Sequence, residues 1–143
     1  MNVAEIVGLA TALKLVQERR ESENARIAAL RDQLVAGVFE RIPEVQLTGH
    51  PTRRLPNSAS FAVKGVEGET LLMALDLEGV CVSTGSACTA GEAEPSHVLL
   101  SLGLPREWAL GSLRMTLGHL TTPEDIALVL DVLPRVIEQL RNA

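Results

Sequence analysis

A chain of 143 residues with 46% hydrophobic side chains is most simply one domain, long enough to bury roughly two thirds of its unfolded surface. Aromatics make up only 2% (Phe39, Phe61 and Trp108), so the core must be aliphatic. A net charge of −5 argues against nucleic acid or an anionic membrane as partner, no apolar run approaches a membrane span, and no signal-peptide pattern opens the chain.

Val3, Ile6, Val7, Ala10 and Leu13 follow the 3-4-3 spacing of one buried helical face. After a charged stretch at 17–23, the same spacing resumes at Ile27, Leu30, Leu34, Val38 and Ile42, and Pro43 ends it. This predicts either one long helix bent near Ser22 or two helices meeting there, with a nearly continuous pair favoured. Residues 45–47 suit a short strand, 49–56 a loop interrupted by two prolines, and 58–63 a strand with Phe61 and Val63 on one face. A short helix is expected over 69–78, stopped by Gly79, and a strand over 80–82. A further helix is expected over 96–102, ending at Gly103.

Residues 112–117 alternate, with Leu113, Met115 and Leu117 on one side and Ser112, Arg114 and Thr116 on the other. The last helix opens with a Thr122 cap, Pro123, and the acids Glu124 and Asp125 at the positive end of the dipole. Its apolar face is Ile126, Val129, Leu130, Leu133, Val136, Ile137 and Leu140. Pro134 lies inside this pattern and should bend the helix or remove a hydrogen bond. The connections are too short for parallel crossovers. The expected fold is therefore α+β, a small, mainly antiparallel sheet with helices packed on one side.

Two cysteines, at 81 and 88, match neither a disulfide framework nor a zinc knuckle, which leaves no metal site and suits reduced thiols in the cytoplasm. Their settings differ. Cys81 stands among Gly79, Val80 and Val82 and reads as structural. Cys88 stands in the run STGSACTAG at 83–91, where small neighbours let another molecule approach the sulfur. It reads either as a nucleophile, since the thiolate is the reactive form and needs exposure, or as a free thiol in a polar loop. No lysine or arginine lies in that loop to lower its pKa. Arg114, on the polar side of its strand, either pairs bidentately with a substrate carboxylate or makes a structural salt bridge. His97 could orient or deprotonate Cys88, or simply pack. Asn57 could position a ligand or serve its turn.

Together these residues resemble the C-terminal, small domain of pyridoxal-phosphate-dependent cysteine desulfurases of the NifS/IscS type. The matching blocks are NVAEIVG (2–8), GHP (49–51), RLPN (54–57), GVEGE (65–69), the Cys88 run, EPSHV (94–98) and GSLRMTLG (111–118) followed by Thr121 and Thr122. The resemblance covers essentially the whole chain.

It implies that Cys88 attacks the sulfur of L-cysteine held on the cofactor and keeps it as a persulfide, L-alanine being released. Arg114 would hold the substrate carboxylate, and the sulfur would pass to an acceptor or Fe–S scaffold protein. The long Cys88 loop suits a sulfur that must reach first the cofactor and then another protein. The resemblance further implies that residues 1–143 form the small domain alone. The large domain, with its Schiff-base lysine and phosphate-binding residues, would then be missing. Only Lys14 and Lys64 are present, neither in a cofactor-lysine motif, and His119 stands where such proteins have arginine. The chain alone is then expected to bind no pyridoxal phosphate and to release no alanine. A stand-alone persulfide carrier is the alternative. The face normally packed on a large domain would be exposed, favouring self-association into a homodimer.

Overall fold

A computed structural model describes residues 2–84 and 94–143. The helix α1 spans Val3–Arg41, 39 residues without interruption, so of the two alternatives one long helix is found and not the favoured pair meeting near Ser22. Ser22 is accommodated because its hydroxyl donates back to Arg19 O at 3.1 Å, within the helix. Asn2 caps the start, its side chain accepting from Glu5 N–H.

The strands β1 (Val45–Leu47), β2 (Ser58–Val63) and β3 (Ser112–Thr116) form an antiparallel sheet in that order. Between β2 and β3 in sequence come α2 (Gly68–Leu77), α3 (His97–Ser101) and α4 (Arg106–Ala109), and α5 (Pro123–Arg141) closes the chain. The architecture is α+β, as the alternation of elements predicts.

One apolar cluster joins the parts. Ala59, Phe61 and Val63 of β2 and Leu113 and Met115 of β3 face Ile27, Leu30, Leu34 and Val38 of α1, Leu71 and Leu75 of α2, and Leu133, Val136 and Ile137 of α5. The N-terminal half of α1 takes no part. Val3, Ile6, Val7, Ala10 and Leu13 were expected to be buried and are exposed, because the helix runs out past the sheet and α5 before reaching them.

Two further expectations fail for local reasons. Residues 80–82 form no strand. The Val80 N–H is spent on Leu75 O at 2.9 Å, closing the end of α2, and pairing with β3 begins only at Ser83. Cys81 is an exposed free thiol and not a structural one. Extended backbone alternates, and with Val80 buried and Val82 half-buried, the residue between them faces out. The one-turn α4 was not expected at all.

Pro134 sits inside α5 without ending it. Proline has no N–H for the carbonyl four residues back, Leu130 O. That oxygen instead accepts from Arg41 Nη1, on the last turn of α1, at 2.7 Å. The orphan created by one helix is satisfied by its neighbour. The two helices approach closely there, and a Cβ on Gly37 would lie 2.5 Å from Leu130 Cδ1. Gly111 is required more strictly, since a Cβ would collide with the backbone oxygen of Val63, whose own N–H donates to Gly111 O at 2.9 Å.

Candidate functional site

β2 and β3 pair with Ser58 opposite Thr116, Ser60 opposite Arg114 and Ala62 opposite Ser112. With a period of two, the face turned away from the core carries these same residues. Ala62 and Ser112 are buried at the end where α4 lies against β2, while Arg114 and Thr116 are exposed and Ser58 and Ser60 half-buried. The result is an open hydroxyl-rich surface with one cation at its centre.

Ser83 completes it from the other side of β3. Its N–H donates to Arg114 O at 3.0 Å, and Arg114 N–H donates to Ser83 O at 2.6 Å, an isolated antiparallel bridge. The guanidinium adds a side-chain bond, Nη2 donating to Ser83 Oγ at 3.3 Å. The Ser83 hydroxyl donates in turn to Thr84 O at 3.0 Å, which turns its lone pairs toward the guanidinium. Backbone and side chain thus fix Arg114 to the residue that leads toward Cys88.

The guanidinium has no carboxylate partner among the described residues. Arg26, Arg31 and Arg135 pair with Glu23, Asp32 and Glu78. Arg54 donates to the carbonyls of Thr48, His50 and Ser58, holding the 49–56 loop on β2, and burial together with the nearby Arg31 charge pushes its pKa below the usual arginine value. Arg141 similarly binds Pro43 O and Lys64 O. Arg53 and Arg106 also lack a carboxylate, but stand on a loop and a one-turn helix. Arg114 is set by a sheet, flanked by hydroxyls, and free to present its fork of donors to an external anion.

Asn57 lies half-buried at the start of β2, its carbonyl accepting from Leu117 N–H at 2.9 Å. It is three residues from Ser60, roughly 10 Å along the strand from the Arg114 rung. The structure therefore puts it on the same sheet end but not in contact with Arg114. His97 is exposed at the first residue of α3. Cys88 lies outside the described residues, which end at Thr84 and resume at Glu94. Ser58, Ser60 and Ser83 were missed by sequence reasoning. Their signal was present, since strands read for their apolar side also define the opposite one, and S-x-S on β2 aligns with R-x-T on β3.

The His50 ring and the His119 backbone oxygen both serve the scaffold. His50 Nδ1 accepts from the N–H groups of Thr52 and Arg53 at 3.1 and 3.0 Å, which shapes the turn. The turn at His119 is tied to α1 by Arg26, which donates to Thr121 O at 2.7 Å and His119 O at 3.0 Å. The lysines do not suit covalent attachment of an aldehyde cofactor. Lys64 Nζ lies 3.2 Å from Glu44 and 3.8 Å from Glu107, and the bond to Glu44 raises its pKa, whereas an amine that condenses with a carbonyl needs a lowered one. Lys14 is exposed on the projecting part of α1. The residues described here do not fit a pyridoxal phosphate site.

Comparison with known proteins agrees with the fold. The aminotransferase class-V family model matches residues 1–129. The chain is 52% identical over 143 residues to the cysteine desulfurase IscS of Clostridium botulinum strain Hall, covering 99% of this chain and 36% of that protein. It is 42% identical over 141 residues to the cysteine desulfurase NifS of Azotobacter vinelandii, covering 99% of this chain and 35% of the relative. The solved NifS-like protein of Rickettsia africae superposes with a TM-score of 0.82 at 26% identity, over 96% of this chain and 35% of that one. The chain thus spans about a third of the length of the relatives it matches. It belongs to the aminotransferase class-V family.

Proposed function

We propose that residues 1–143 act as the C-terminal small domain of a cysteine desulfurase, with Cys88 as sulfur acceptor and Arg114 as the anchor of the substrate carboxylate. The overall change is L-cysteine plus the Cys88 thiol giving L-alanine plus a Cys88 persulfide, which balances in atoms and electrons. Pyridoxal phosphate, the electron sink of this chemistry, would be held by residues outside this chain. The persulfide would then pass to an acceptor thiol or an Fe–S scaffold protein, in a cytoplasmic enzyme that works as a homodimer.

The observation that carries this reading is the free Arg114 guanidinium bridged to Ser83. Cys88 follows Ser83 by five positions in the sequence, so a fully extended chain spans about 17 Å between their Cα atoms and sets the upper limit on their separation. A carboxylate on Arg114 and a thiol on so short a lead can meet on one small amino acid. Asn57, farther along the sheet, would contact the remainder of the bound ligand.

A chimera tests it: this chain replaces the matching segment of the Clostridium botulinum relative, and alanine release from L-cysteine is followed with pyridoxal phosphate present. The chimera should turn over, Cys88→Ser should abolish alanine formation, and Arg114→Ala should raise KM at least ten-fold. Unchanged KM in Arg114→Ala would remove the carboxylate assignment, and turnover by Cys88→Ser would remove the sulfur assignment.

A second reading draws on the unsuitable lysines: the chain alone serves as a persulfide carrier loaded by another enzyme. It predicts sulfur on Cys88 of the 143-residue chain without any alanine formed by it.

A further inference from the structure

We propose that Ser83 is a positioning residue for Arg114, its hydroxyl holding the guanidinium in the orientation that receives the carboxylate of L-cysteine. The inference rests on the desulfurase reading and adds a residue to it.

Arg114 stands between two serines. Ser60 of β2 is opposite it on one side of β3, and Ser83 is opposite it on the other. Residues opposed across an antiparallel pair turn their side chains to the same face, so all three share one surface. The guanidinium bonds on the Ser83 side, Nη2 donating to Oγ at 3.3 Å. It is thereby drawn away from β2 and toward the segment that continues to Cys88.

An arginine on an open sheet face is costly to use. Its long side chain has many rotamers, and a ligand that needs one of them must supply the cost of ordering it. Arg114 is exposed and makes no ion pair among the described residues, so a carboxylate would otherwise meet a cation with a loosely held end. The Ser83 bond does part of the ordering in advance. It does so without consuming the groups the ligand needs. Nη2 carries two hydrogens, one on each donating edge of the guanidinium. Ser83 takes one of them, and the other edge keeps both its hydrogens for the two carboxylate oxygens.

Ser83 is itself held on both sides of its Cα. Its N–H and carbonyl are pinned by the bridge to Arg114, at 3.0 and 2.6 Å. Its hydroxyl proton is committed to Thr84 O at 3.0 Å, so Oγ offers lone pairs to the cation and not a competing donor. The main-chain bridge is independent of the side chain. The hydroxyl can therefore be removed while the strand pairing stays.

Steady-state alanine release by the chimera, with pyridoxal phosphate present, tests this. Ser83→Ala should raise KM for L-cysteine about five-fold and leave kcat within about two-fold, because the carboxylate is bound alike before and during the reaction. Ser83→Thr, which keeps the oxygen, should restore KM. In an Arg114→Ala background the same Ser83→Ala change should no longer alter KM, since there is no guanidinium left to orient. The melting temperature of Ser83→Ala should stay within about 2 °C of the parent, which separates positioning from a general loosening of the fold. A normal KM in Ser83→Ala, beside a raised one in Arg114→Ala, would overturn this proposal alone and leave the carboxylate assignment standing. An unchanged KM in Arg114→Ala would overturn both. A Ser83→Ala effect that persists without Arg114, or that threonine fails to rescue, would show that the hydroxyl acts elsewhere and would also overturn it.

Discussion

The bond from Arg41 to Leu130 O makes a prediction about why α5 tolerates a proline. Arg41→Met keeps the aliphatic stem but removes the donor that meets the carbonyl left open by Pro134. A hydrogen bond from a charged donor contributes about 1.5–3 kcal/mol when buried. Arg41 is exposed and water competes for the carbonyl, so about 1 kcal/mol is expected, a drop of roughly 3–4 °C in melting temperature for a chain of this size. In a Pro134→Ala background the helix supplies its own N–H to Leu130 O. The same Arg41→Met change should then cost close to zero. Urea denaturation of the four proteins closes the cycle, and a coupling of about 1 kcal/mol is expected. Equal losses in both backgrounds would refute the compensation and reduce the 2.7 Å contact to an incidental one.

Gly111→Ala should be severely destabilising, by about 3 kcal/mol or more in thermal or urea melts, because the added methyl meets a backbone oxygen held in the sheet and not a side chain that can turn. Gly37→Ala should be milder, since it meets the end of a leucine that can change rotamer. The Arg26 hydrogen bond holds the Glu23 carboxyl below its ordinary value of 4.5. A group lowered in the folded state stabilises above its unfolded pKa and loses that contribution as pH falls through the folded one. The melting-temperature difference between wild type and Glu23→Gln should therefore be greatest near neutrality and vanish well below pH 4.5, whereas a gap that persists in acid would contradict it.

Much of this architecture was legible because local signals and tertiary packing agree. The Thr122 cap forms a capping box with Asp125, as the Thr-Pro-Glu-Asp opening of α5 suggests. The alternation in β3 separates Leu113 and Met115 from Arg114 as a half-covered strand must. Where the reading failed, the reason was what lay opposite. Val3 to Leu13 carry a helical apolar pattern identical in kind to Ile27 to Val38, but periodicity reports that a face seeks cover and not that cover is present within the chain. Cys81 shows the converse: apolar neighbours in sequence say little about an extended segment, in which alternate residues point opposite ways. A one-turn helix such as α4 is too short to show a period. The site itself was half visible. Arg114 was found from its place on a polar strand face, while Ser83, read only as the first residue of the Cys88 run, needed its bridge to β3.

The central claim is that Cys88 receives sulfur from L-cysteine. Intact-mass analysis of the 143-residue chain, after incubation with a complete cysteine desulfurase, pyridoxal phosphate and L-cysteine, measures it most directly. The account predicts the gain of one sulfur atom, mapped to Cys88, removed by a thiol reductant and absent in Cys88→Ser, while Cys81→Ser loads normally. Sulfur found on the exposed Cys81 in place of Cys88, or no gain with either thiol intact, would contradict it.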